Sequence, residues 1–331
     1  MDESASPAIY DKFGRTFPYV RISITDVCNF RCSYCLPNGY KKTGSNDFMN
    51  LDEIVRLVRA LAELGVWKIR LTGGEPTVRK DFNNIAQHIS EIPGIRCLAF
   101  TTNGYQLEEH ASTWRKAGLQ KVNISIDSLK RDTFLSVTGH DMLHKVLRGL
   151  DRCLEYGFKS VKINTVLLKE VNDNELDDFI DLVRDKDISL RFIELMKTCS
   201  NHEYFSKYHL PTSGIKNSLI KRGWVECDRQ DGDGPAVELY QPGTSGKIGL
   251  IAPYSKDFCT TCNRLRISAK GNLHLCLFGE GGYSLRQFMQ SDDQKVELKN
   301  TILRLMKFKL ESHKLHQNLS GSTQHFASIG G

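Results

Sequence analysis

Six times between residues 19 and 195 the chain carries a short β-prone run, each run followed by a loop or by an amphipathic helical pattern. The first run, 19–25, alternates Val20, Ile22 and Ile24 with polar or charged neighbours, the period-two signature of a strand. Asn50 with Glu53 three residues on reads as a capping box. Ile54, Leu57, Val58, Leu61 and Leu64 then share one helical face that stops at Gly65. The unit recurs as strand 67–72, helix 82–92, strand 96–101, helix 107–117, strand 121–126, helical patterns across 130–156, strand 160–168, helix 174–184 and strand 189–193. Strands joined through helices run parallel with right-handed crossovers. The expected fold class is therefore α/β, a partial (β/α)6 barrel of the TIM type. Each strand finishes in polar residues, and in such a barrel those ends ring one mouth, where chemistry is expected.

After about residue 195 the pattern changes. Short strands are expected at 224–227, 237–240, 247–251, 265–268 and 272–275, between Gly-rich turns, followed by a helix over 295–310. This reads as a C-terminal β-rich extension closing the open side of the barrel. The 331 residues then divide into a loosely held N-terminal segment, 1–18, a barrel, 19–195, an extension, 196–320, and a flexible Gly-Gly tail, 321–331.

Ten cysteines accompany an N-terminus, Met1-Asp2-Glu3-Ser4, that lacks the basic-then-apolar start of a secretory signal. That combination favours metal ligation in a reducing, cytoplasmic setting over disulfides. Cys28, Cys32 and Cys35 form a C-x3-C-x2-C loop directly after the first strand; Cys259, Cys262 and Cys276 form a second group. Thiolate is the ligand that iron–sulfur clusters take, and three ligands leave the fourth iron of a cubane open. A zinc knuckle is the plain alternative, but structural zinc takes four N/S ligands and neither group supplies a fourth. Cys97, Cys153, Cys199 and Cys227 read as structural, and His313 and His316 as solvent-exposed. The net charge of +6 permits an acidic substrate without the concentrated basic face of a nucleic-acid binder. No apolar stretch is long enough to cross a bilayer.

The C-x3-C-x2-C loop with Tyr34 before its last cysteine, followed by Gly73-Gly74-Glu75-Pro76 at a strand end, resembles the radical S-adenosylmethionine enzymes. The second cysteine group, Cys262-Asn263-Arg264-Leu265-Arg266, Val161-Lys162-Ile163-Asn164, Arg191-Phe192-Ile193-Glu194 and the final Gly330-Gly331 extend the resemblance to the GTP 3′,8-cyclases over about residues 15–331. The resemblance implies two 4Fe–4S clusters, one on Cys28, Cys32 and Cys35 and one on Cys259, Cys262 and Cys276. It implies that Tyr34, Gly74, Ser125 and Met196 hold S-adenosylmethionine, with the glycines admitting a ligand close to the backbone. Reductive cleavage there would give a 5′-deoxyadenosyl radical that takes the C3′ hydrogen of GTP, and C3′ would then join C8. The implied GTP contacts are Arg21, Lys68, Arg70, Thr101, Lys162, Arg191, Arg264, Leu265 and Arg266. Arg21, Arg264, Arg266, Gly330 and Gly331 are the implied catalytic set. The row of cations also has a physical reading, since several charges converging on a barrel interior need an anionic partner. Thr102 is expected to point away from the site by strand alternation. Implied partners are a second copy in a homodimer, a flavodoxin- or ferredoxin-like electron donor, and cyclic pyranopterin monophosphate synthase as recipient of the product. No nucleic acid or membrane partner is expected.

Two rival readings remain at this level, a peptide-modifying radical maturase and a zinc-stabilised nucleic-acid module. Departures from the family's usual pattern are Val27, Leu36, Lys197, Phe326-Ala327 and Glu170, which replaces a frequent glycine.

Overall fold

The computed structural model describes residues 8–42, 47–229, 234–317 and 319–330. The barrel strands are β1 (Tyr19–Ser23), β2 (Lys68–Thr72), β3 (Cys97–Thr102), β4 (Lys121–Ser125), β5 (Ser160–Leu167) and β6 (Ser189–Glu194). They lie side by side in that order and all run parallel. The helices between them are α1 (Leu51–Glu63), α2 (Phe82–Ser90), α3 (Leu107–Lys116), α4 (Arg131–Thr138), α5 (Leu143–Glu155) and α6 (Leu176–Asp185). The helical pattern expected over 130–156 is thus two helices, broken where Gly139 takes φ +73 at the end of α4.

The expected capping box forms: Asn50 Oδ1 accepts from Glu53 N at 2.9 Å, and Asn50 N donates to Glu53 Oε2 at 2.8 Å. Glu53 also accepts from Arg286 Nε at 2.8 Å, which ties the extension to the outside of the barrel. Ile54, Leu57, Val58 and Leu61 are buried on the predicted face. In the core, Phe100 of β3 meets Phe82 of α2 and Trp114 of α3, with ring centres 5.7 and 5.5 Å apart.

The extension contributes α7 (His202–Tyr208), α8 (Ser213–Lys221), β7 (Val225–Glu226), β8 (Val237–Tyr240), β9 (Lys247–Ile251), β10 (Arg264–Ile267), β11 (Asn272–His274), β12 (Tyr283–Ser284) and α9 (Lys295–Leu305). Its strands do not form a separate sheet. β9 adds parallel to β6, β10 adds parallel to β1, and β8–β7 and β11–β12 continue outward antiparallel. The result is one open sheet of 12 strands wrapped around the barrel interior.

Two expectations are corrected. The N-terminal segment is not loose from residue 8 onward: Ile9 and Phe17 are buried, and Arg15 donates to the carbonyls of Cys259, Leu310 and Glu311. His313 is buried rather than exposed, its ring 5.2 Å from that of Phe278. No helix among the described residues is long and apolar enough to cross a membrane.

Candidate active site

A cavity of about 270 Å³ inside the sheet is lined by all six cysteines of the two groups. The groups approach it from opposite ends. Cys28, Cys32 and Cys35 follow the C-terminal end of β1, whereas Cys262 immediately precedes β10, whose first residue, Arg264, pairs with the first residue of β1, Tyr19. The site is therefore a passage along the barrel strands rather than a mouth at one end.

The chemistry of both groups fits a cluster. Burial pushes the Cys28 thiol up to about 12, with Glu75 adding to it, and the Cys35 thiol up to about 11. Cys32 is raised well above the ordinary thiol range by burial and by Asp127. Such thiols become thiolates only with a cationic partner such as iron. Backbone N–H groups are already aimed at the sulfurs: Phe30 at Cys28, Phe326 and Ala327 at Cys35, Arg264 at Cys262 and Phe278 at Cys276. Such bonds to sulfur are among the features that tune iron–sulfur sites. Structural zinc takes four N/S ligands, and each group lines the cavity with three cysteines.

The surroundings of the groups differ in sign. Glu75 and Asp127 lie beside the first. Beside the second, burial would raise Cys262, but Lys309, Arg264 and Arg15 together outweigh it and lower the thiol. Lys309 is buried, donates to the Leu275 carbonyl and sits 4.9 Å from the Phe17 ring centre.

Gly73 and Gly74 are required by the protein itself. A Cβ on Gly73 would stand 2.2 Å from Thr25 O, and one on Gly74 2.3 Å from Val27 O. The turn is thereby locked against the start of the cysteine loop, through Gly74 N to Thr25 O at 3.0 Å and Glu75 N to Val27 O at 2.8 Å. Glu75 accepts from Thr77 Oγ1, Thr102 Oγ1 and Asn103 N at 2.6, 2.8 and 2.6 Å. The Thr102 hydroxyl is thus committed to Glu75, but Thr102 lines the cavity beside Thr101 rather than pointing away from it. Gly74, Ser125 and Met196 line the cavity, as does Tyr34, whose hydroxyl donates to Asp127 Oδ2 at 2.9 Å.

Of the predicted cations, Arg21, Arg191, Arg264 and Arg266 line the cavity together with Thr101. Lys68, Arg70 and Lys162 are not in its wall: Lys68 begins β2, Arg70 is at the middle of β2 level with Arg21, and Lys162 lies in the first half of β5. Arg70 is buried and donates to Phe100 O and Thr101 Oγ1, at 3.0 and 3.3 Å. Leu265 packs into the apolar core between Arg264 and Arg266, so only its backbone faces the site. Gly330 O accepts from Arg21 Nη1 at 3.2 Å and from Arg266 Nη1. Gly331 lies outside the described residues.

Sequence reasoning missed several groups. The Tyr19 hydroxyl meets Arg70 Nε at 2.6 Å and Arg21 Nε at 3.1 Å. Burial would raise its pKa, but Arg21, Arg70 and Lys68 outweigh that and bring it down to about 6. Glu238 pairs with Arg191 and Lys162 from the extension. Asn123 Oδ1 and Asn164 Oδ1 are buried without a partner among the described residues, and both residues line the cavity. Alternation would have found them, since Asn123 shares a strand face with Ser125, and Asn164 with Lys162.

Residues 22–183 match the Radical SAM superfamily, and residues 188–315 match Molybdenum Cofactor Synthesis C. A GTP 3′,8-cyclase from Psychromonas ingrahamii is 50% identical over 326 residues, covering 98% of this chain and 96% of that protein. Streptococcus suis SuiB bound to S-adenosylmethionine aligns with a TM-score of 0.60 at 12% identity, over 89% of this chain and 69% of that one. A second SuiB structure gives 0.55 at 13% identity, over 87% and 69%. At those identities the SuiB likeness speaks for the fold alone.

Proposed function

The chain belongs to the GTP 3′,8-cyclase family of radical S-adenosylmethionine enzymes, and from that premise we propose that it converts GTP to 3′,8-cyclo-7,8-dihydro-GTP, the first step of molybdenum cofactor biosynthesis. Cys28, Cys32 and Cys35 would hold one 4Fe–4S cluster, and Cys259, Cys262 and Cys276 the other. When bound, the first cluster supplies one electron for reductive cleavage of S-adenosylmethionine, the source of the radical that takes the C3′ hydrogen of GTP.

The chain's own residues bind and orient. Tyr34, Gly74, Ser125 and Met196 would place S-adenosylmethionine beside the first cysteine group. Arg21, Arg191, Arg264 and Arg266 in the wall, with Lys68, Arg70 and Lys162 on neighbouring strands, match the several negative charges of a triphosphate. The carbonyl oxygens of Asn123 and Asn164 are free to accept from hydroxyl or amino groups of the nucleoside. Holding C3′ and C8 together matters because a radical reacts with the hydrogen nearest to it.

The observation that carries the reading is that two three-cysteine groups line one passage whose wall between them bears four arginines. The test is release of 5′-deoxyadenosine by the anaerobically reconstituted enzyme with GTP, with ATP and with a peptide panel. GTP-dependent release together with the cyclised nucleotide is expected; equal release with peptides would overturn the reading. The same reading includes a cytoplasmic homodimer, a flavodoxin- or ferredoxin-like donor, and transfer of the product to cyclic pyranopterin monophosphate synthase.

A further inference from the structure

Two of the cations read above as phosphate ligands are already occupied. Glu238 Oε1 accepts from Arg191 Nη2 at 2.7 Å and lies 3.4 Å from Lys162 Nζ and 3.3 Å from Ser189 Oγ. The contact is built into the register. Arg191 on β6 and Glu238 on β8 are both paired with Gly249 of β9, the strand between them. A Cβ on Gly249 would stand 3.3 Å from Arg191 Cγ and 3.5 Å from Glu238 Cγ, so the missing side chain leaves the space in which the two meet. The pair is not sealed: Glu238 keeps 24% of its side chain exposed and Arg191 keeps 11%. Arg191 Nε has no partner among the described residues and so retains capacity for another acceptor.

We propose that Glu238 is a built-in competitor for the substrate's phosphates, holding Arg191 and Lys162 in the ligand-free enzyme and giving them up when a nucleoside triphosphate binds. The inference rests on the reading of these cations as part of the GTP site. A single carboxylate beside a polyphosphate is a like-charge contact in a partly desolvated place, and such contacts are costly. Several phosphate oxygens offer the same cations more charge than one carboxylate does. Glu238 is the partner that gives way, because its side chain is the more exposed of the two. The ion pair thus sets a threshold that a ligand's phosphates must overcome, lowering the affinity for phosphorylated ligands and leaving a bare nucleoside unaffected.

The test uses equilibrium dialysis of GTP and of guanosine on the anaerobically reconstituted enzyme, wild type and Glu238→Gln. Tighter binding of GTP than of guanosine by wild type supports the phosphate reading of the cations; equal binding would fail that reading, and this inference with it. Given that, Glu238→Gln should tighten GTP by about tenfold and leave guanosine unchanged. Unchanged or weaker GTP binding would overturn the proposal alone. Loss of guanosine binding as well would assign Glu238 to the shape of the site and overturn it too.

Discussion

Arg21 and Arg266 stand opposite each other in parallel register on β1 and β10, and both donate to one atom, the carbonyl oxygen of Gly330. Two guanidinium groups abreast repel, and a carbonyl between them presents the acceptor that keeps both aimed inward. The tail is fastened further back as well, where Cys199 N donates to Thr323 O at 3.2 Å. Gly330 has φ +65, and a Cβ there would stand 2.1 Å from Thr72 Cγ2. Gly330→Ala should therefore unseat the tip of the tail, beyond the Phe326 and Ala327 N–H groups at Cys35, since a left-handed L-residue alone costs about 1–2 kcal/mol. Turnover of GTP should fall about tenfold or more, with S-adenosylmethionine binding and iron content retained. Undiminished product formation would remove the tail from the working site.

Lys162 supplies a pH signature. Burial, and then Arg191, draw its pKa down to about 8, against the opposing pull of Glu238; Arg70 adds to the lowering. The ammonium is present below that pH and lost as pH rises through it. The KM for GTP should accordingly rise on the alkaline side with a midpoint near 8. Lys162→Arg, charged throughout, should remove that limb. A wild-type KM that stays flat across the range would contradict a role for Lys162 in binding.

The two cysteine groups should be separable by iron content. Replacing Cys259, Cys262 and Cys276 with serine should lower anaerobically loaded iron from about eight to about four per chain. S-adenosylmethionine binding should survive, because Tyr34, Gly74 and Ser125 hang on the other end of the barrel. Iron unchanged by the replacement would show that the second group holds none.

Glu170 carries a strained backbone. Its φ is +60, it is the one non-glycine residue with positive φ among those described, and its side chain is exposed with only a loose pairing to Lys169. Glu170→Gly should relieve the left-handed penalty, partly offset by the extra freedom of glycine in the unfolded chain. The net gain is about 0.5–1 kcal/mol, a rise of roughly 2 °C in Tm. A lower Tm would mean that Glu170 makes a contact worth more than its strain.

The barrel was largely legible because its signals are local. Asn50 and Glu53 announce α1, alternation marks β1 and β5, and 237–240 and 247–251 were placed to the residue. The helices α7 and α8 were not: α7 has no buried residue and α8 buries only Ile215 and Leu219, too little for a periodic pattern. The cysteine spacings pointed to two incomplete cages, but their placement at opposite ends of the strands depends on β10 pairing parallel to β1. That pairing joins residues some two hundred and forty positions apart, and no local pattern encodes it. Tyr19 and Glu238 escaped notice for the same reason, each gaining its role from charges on other strands. Gly73 and Gly74 read as room for a ligand, and both line the cavity; the structure adds that they are also room for Thr25 and Val27.

Because β1 and β10 are zipped together residue against residue, the separation of the two cysteine loops is a matter of strand length. Five residues at about 3.3 Å each set a span of roughly 16 Å, comparable with an extended nucleotide. A single-residue slip between these strands would swing Arg264 and Arg266 into the oily layer and bring Leu265 out in their place. The gauge that matches reagent to substrate is then the backbone ladder itself, and no hinge between halves of the molecule is needed to set it.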